Sequence, residues 1–150
     1  MAVAPGIFVL LITALMQAET PQALVIDTGS TNRPGMTVTV DETGNASAKP
    51  RRGEPQSMNL NPQLCQALMK DIKAAGTLSA LPEHHCMKSA SFGSSLYVEM
   101  NGDRSPDLSC ANPPDPRAAA LQKDARDILQ AVHAHIGPSR VQPVRPVKPI

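Results

Sequence analysis

The stretch that most constrains the fold runs from Cys86 to Cys110. Within it Phe92, Ser94, Leu96, Val98 and Met100 alternate with Gly93, Ser95, Tyr97 and Glu99, and Asn101-Gly102 follows. Alternation with period two followed by Asn-Gly is the short-range signature of a β-hairpin, here with a cysteine at each end. The register depends on loop length. A two-residue loop would set Leu96 opposite Asp107 and turn Leu108 outward, whereas a loop of Asn101-Gly102-Asp103 sets Leu96 opposite Leu108. The longer loop satisfies the apolar pattern. It also puts Cys110 on the face of Phe92, Leu96 and Val98, towards the core beneath the two helices, and leaves Pro106 at an edge or a bulge, where no ladder hydrogen bond is asked of it.

A chain of 150 residues has room for one domain. Ile7 to Met16 is apolar apart from one Thr, too short to span a bilayer, and Met16-Gln17-Ala18 offers a small-residue cleavage site. Residues 1–18 therefore read as a secretory signal, residues 19–137 as the domain, and the chain as periplasmic or secreted, with no stable membrane insertion after cleavage. A net charge of +1 gives no electrostatic case for nucleic acid. Cleavage would leave Phe92 and Tyr97 as the only aromatic residues. The core must then be aliphatic, and a disulfide would matter. Cys65, Cys86 and Cys110 remain for pairing in an oxidising compartment. Cys86 with Cys110 is favoured because the two bracket one hairpin, Cys65 with Cys86 is the other pairing, and a leftover Cys65 reads as a small buried hydrophobe.

In chain order, Ala23 to Asp27 reads as a strand, Thr28 to Gly35 as a loop, Met36 to Val40 as a strand with Met36, Val38 and Val40 inward, and Asn45 to Lys49 as a weaker partner strand. Pro50 to Ser57 reads as exposed loop. Helix 1 is punctuated by Asn61-Pro62 and Gly76, with an inward stripe of Leu64, Leu68, Ile72 and Ala75. Helix 2 has the same grammar in Asp115-Pro116 and Gly137, with Leu121, Ala125, Ile128, Leu129, Val132 and Ile136 inward. The predicted fold is α+β: an antiparallel sheet of two hairpins with two helices packed on one face, in the order β-β-β-α-β-β-α. Residues 138–150, with Pro138, Pro143, Pro146 and Pro149 among basic residues, read as a disordered Pro-rich tail.

Three local patterns carry candidate chemistry. Glu83-His84-His85-Cys86 holds metal-type donors, but adjacent residues rarely converge on one ion, and His133 and His135 lie two apart on a helix; no metal site is assigned and no cofactor is implied. Asn45-Ala46-Ser47 matches the glycosylation sequon. Leu24 to Thr31 contains Asp27-Thr28-Gly29, which resembles the catalytic loop of pepsin-like and retroviral-type aspartic proteases. That resemblance implies Asp27 as the catalytic carboxylate of a homodimer, sharing a proton with its symmetry mate.

The order of elements gives a wider resemblance. Ile26 to Val40, the turn Asp41 to Gly44 and the two helices make the chain similar to emfourin-type small bacterial inhibitors of thermolysin-like metalloproteases and related exported domains. The resemblance implies a non-enzymatic module whose partner is an extracytoplasmic protein or protease, with Gly29, Ser30, Pro34 and Gly35 of the loop after the first strand as binding residues. The expected function is thus a protein-binding or inhibitor-like module, with an aspartic-type hydrolase as the alternative. No combination of nucleophile, base and orienting group occurs within one chain, so an enzyme would need a dimer to complete its site.

Overall fold

A computed structural model describes residues 20–137. The expected signal and Pro-rich tail lie outside the described residues. The first strand, β1 (Gln22–Ser30), turns at Thr31-Asn32 into β2 (Arg33–Asp41), and β3 (Asn45–Pro50) and β4 (Gln56–Asn59) follow. Helix α1 (Pro62–Ala75) and a 3-10 turn (Leu78–Ala80) precede β5 (Leu96–Met100), β6 (Asp103–Arg104) and helix α2 (Pro116–Ile136). The six strands form one antiparallel sheet in the order β4-β3-β2-β1-β5-β6. The protein is α+β, as its sequence predicts, with one strand more before the first helix.

Side-chain alternation decides which face is covered. Ala23 and Val25 of β1, Val38 and Val40 of β2, Ala46 and Ala48 of β3, and Leu96 and Val98 of β5 are buried in one core with both helices. Their neighbours Leu24, Ile26, Thr37, Thr39 and Tyr97 on the other face are half-buried. From α1 the core takes Cys65, Leu68, Ile72 and Ala75, and from α2 Ala118, Leu121, Ala125, Ile128, Leu129 and Val132. Leu64 is half-buried, so the inward stripe of α1 is centred nearer Cys65 than expected. Each fully buried Leu, Ile or Val contributes about 1.5–3 kcal/mol relative to exposure.

Both helices start as the sequence indicates. The Asn61 side chain accepts from the Gln63 N–H at 3.0 Å and the Asp115 side chain from the Arg117 N–H at 2.8 Å, each supplying a partner to a backbone donor the helix leaves unpaired. At the β2–β3 turn the Asp41 carboxylate receives donors from Thr43 and Asn45. Those bonds, Thr43 first and Asn45 next, hold its pKa below the ordinary carboxylate value despite burial. Asn45 is thereby committed to the turn.

Four expectations are corrected. Thr28 to Gly35 is not a loop: β1 and β2 continue to a two-residue turn, with Gly29 opposite Pro34 and Ser30 opposite Arg33. Glycine makes this possible, because a Cβ on Gly29 would sit 2.3 Å from the Gly35 nitrogen and one on Gly35 would sit 2.5 Å from the Thr28 oxygen. Part of the segment Pro50 to Ser57 forms β4, which pairs with β3 through Ser47 opposite Ser57 and Ala46 opposite Met58. The β5–β6 tip is the tight two-residue turn, with Asn101 at φ 53° and Gly102 at φ 80°, and Met100 opposite Asp103. Ser105 N–H donates to Val98 O in that register, but Leu108 N–H donates to Leu96 O, so one extra residue is taken up around Pro106. Leu108 faces the core by way of this bulge. Finally, Phe92 is 74% exposed and contributes nothing to the core. The strand begins only at Leu96.

Candidate functional site

The segment between the 3-10 turn and β5 departs most from its surroundings. Leu81 at one end and Leu96 at the other are buried, while Met87 is fully exposed and Phe92 largely so. Residues 82–89 have no regular secondary structure. Their composition accounts for this: Pro82 interrupts any helix, and Ser and Gly at 89, 91, 93, 94 and 95 supply no apolar stripe for either helix or strand.

The loop is nevertheless fastened along its rear. Cys86 is bonded to the buried Cys110, with their Cα atoms 5.7 Å apart, as the favoured pairing predicts; Cys65 is free and buried. The Lys88 ammonium pairs with the Asp107 carboxylate and donates to Ser95 Oγ at 3.1 Å. Asp107 also accepts from the Leu96 N–H at 3.1 Å and the Ser109 N–H at 2.9 Å. Burial pushes the Asp107 pKa up, but Lys88, Ser95 and Ser109 outweigh it and hold the group far below the usual carboxylate range. Within the loop, Gly93 N–H donates to Ser89 O at 2.7 Å, an approach that leaves no room for a Cβ at position 93.

The β1–β2 tip supports the other side. Thr28 N–H donates to Ser95 O at 3.0 Å and Ser95 N–H donates to Thr28 Oγ1 at 2.9 Å. Asn32 Nδ2 reaches Ser91 O at 3.5 Å and Arg33 Nη2 reaches Ser94 Oγ at 3.4 Å. The residues expected to bind, Gly29, Ser30, Pro34 and Gly35, thus lie in the hairpin that backs the loop. Gly29 and Gly35 are buried, Ser30 is half-buried and Pro34 is exposed.

Asp27 is buried, accepts from the Gly29 N–H at 2.9 Å and is ion-paired with Arg33 at 2.7 Å. A proton shared with a second carboxylate would have to displace that guanidinium. His84 approaches Ala111 O at 3.3 Å, His85 pairs with Glu83 at 3.0 Å in solvent, and the Cys86 sulfur is spent in the disulfide. Among the described residues no group of three His, Cys, Asp or Glu side chains could hold a metal ion. Nor, among those residues, is any helix long and apolar enough to cross a membrane.

Chemically, the arrangement offers an irregular loop with a fixed rear and two exposed large apolar side chains, Met87 and Phe92. Sequence reasoning placed Phe92 in the core and passed over Met87. The available signal was the position of Met87, directly after a disulfide cysteine and before a Ser- and Gly-rich run. No family model, curated protein or solved structure matches the chain.

Proposed function

We propose that the chain is an exported protein-binding module of the protease-inhibitor kind, and that its working surface is the loop 82–95. The observation that carries this reading is the full exposure of Met87 beside an anchored disulfide. A large apolar side chain held in water gains free energy by entering a partner's apolar pocket. Holding the flanking backbone in advance lowers the entropy lost on binding, which is where a small module gains affinity. The partner that fits is an endopeptidase with an apolar specificity pocket, which Met87 fills. After any cleavage of the adjoining bond, Cys86 and Lys88 would stay tethered through Cys110 and Asp107, so the new ends remain in place and rejoining competes with release. The disulfide supports an oxidising compartment and so an exported chain.

The test is inhibition by the purified chain of a panel comprising subtilisin-like, chymotrypsin-like and thermolysin-like endopeptidases. Stoichiometric inhibition of at least one is expected, weakened by about 100-fold or more in Met87→Asp, since a charge must then be desolvated in an apolar pocket. Rapid and complete digestion of the wild-type chain by every member, without inhibition, would refute the proposal.

A further inference from the structure

A cavity of about 440 Å³ opens between the sheet and α2, away from Met87 but with Ser94 at the end of the loop on its rim. Asp27 and Arg33 line one side, Leu96 and Leu129 supply apolar wall, Ser109, Arg126 and His133 lie opposite, and Ser94 and Gln130 complete it. Its size lies within the range of small-molecule sites, and the mixture of apolar wall with a few converging polar groups is typical of them.

The charges in it do not cancel. Arg33 is neutralised by Asp27 at 2.7 Å, whereas Arg126 donates only to the Ser109 carbonyl, at 3.0 Å, and has no ion-pair partner among the described residues. Ser109 Oγ is buried and has no hydrogen-bond partner among the described residues. A buried hydroxyl without a partner is costly, and a guanidinium beside apolar wall is suited to a carboxylate, which can accept two of its N–H groups.

From these features we infer that the cavity binds a small monocarboxylate with an apolar body, its carboxylate on Arg126 and its body against Leu96 and Leu129. One net positive charge matches one negative charge, and the apolar wall favours a carboxylate bearing a hydrocarbon group over inorganic phosphate. This assignment is independent of the inhibitor reading.

The probe is sodium phenylacetate titrated into the full chain and followed by amide chemical shifts, with benzyl alcohol and inorganic phosphate in parallel. Saturable shifts at Leu96, Ser109, Arg126 and Leu129 are expected with phenylacetate, together with weaker binding of both comparators. Arg126→Gln should weaken phenylacetate at least about tenfold without moving the melting temperature, because Arg126 is exposed and outside the core. The inference is overturned by any of three results: no saturation up to about 10 mM, equal or tighter binding of benzyl alcohol or phosphate, or affinity unchanged in both Arg126→Gln and Ser109→Ala.

Discussion

Lys88 and Asp107 meet across the base of the loop: the ammonium closes on one carboxylate oxygen while the other accepts from the backbone of Leu96 and Ser109. One residue of the loop and one of the bulge after β6 are thereby held together next to the disulfide. Asp107→Asn should loosen the loop more than the fold. The expected result is faster amide exchange across residues 86–95, a melting temperature lowered by only a few degrees, and inhibition weakened about tenfold or more through loss of preorganisation. Because Asp107 is more acidic in the folded chain than when unfolded, its contribution is present above the ordinary carboxylate pKa and declines as strong acid protonates it. Inhibition should therefore survive mild acid.

The disulfide should matter to the whole domain. Cys86→Ser and Cys110→Ser should each cost about 2–5 kcal/mol, a fall in melting temperature on the order of 10 °C, and the double variant should be no worse than either single one. Cys65→Ala should cost less, since it trims one small buried side chain. Burial raises the Cys65 thiol pKa, so a thiol reagent should label it only on unfolding. Thermal melts and labelling rates under native conditions check both statements.

A methyl group at either glycine of the β1–β2 tip should be poorly tolerated. Gly35→Ala would place its Cβ among the backbone atoms of Asp27 and Thr28, and Gly29→Ala would add the strain of φ 68°. A loss of about 2 kcal/mol or more is expected for each, measured by urea unfolding. Phe92→Ser should leave stability within about 0.5 kcal/mol of wild type, because the ring is outside the core.

Asp124 predicts a pH dependence of the helix pair. It is buried on α2, its Oδ2 has no partner among the described residues, and its pKa is pushed up to about 7, first by burial and then by Asp71 of α1. A folded pKa above the ordinary 3.8 means that this group's contribution is complete below about 4 and is lost as pH rises through about 7. Urea midpoints should fall between about pH 4 and about pH 7 and level off above that. Asp124→Asn should flatten that slope, whereas Asp127→Asn, whose carboxylate pairs with Lys123 in solvent, should not.

The parts of the fold legible in the sequence are those set by local chemistry. Asn61-Pro62, Asp115-Pro116, Gly76 and Gly137 mark helix ends because capping needs only residues near in sequence. The pairing of Cys86 with Cys110 followed from their bracketing one hairpin. What escaped depends on partners distant in sequence. Gln56 to Asn59 lacks β-branched residues and is a strand only because β3 lies beside it. Thr28 to Gly35 has loop composition, yet its two glycines allow two backbones to meet. Phe92 continues an alternating pattern that the chain abandons: at the next pair beyond Leu96 the Ser95 N–H turns to the Thr28 hydroxyl instead of the Thr28 carbonyl, and the ladder goes no further. The candidate site was the least legible part, because residue type does not tell an exposed Met from a core one and only the place of Met87 beside Cys86 marked it.

The bulge around Pro106 also fixes how far the sheet can grow. There the Val98 N–H is taken by the Ser105 hydroxyl at 3.1 Å, and Pro106 has no N–H to offer, so this margin presents no regular row of groups to an incoming strand. The opposite margin, β4, carries neither proline nor charge along Gln56 to Asn59. Of the sheet's two margins, β4 is therefore the one with no proline or charge of its own to interrupt it, although the Asn59 carbonyl at its end is already approached by His135 at 3.0 Å.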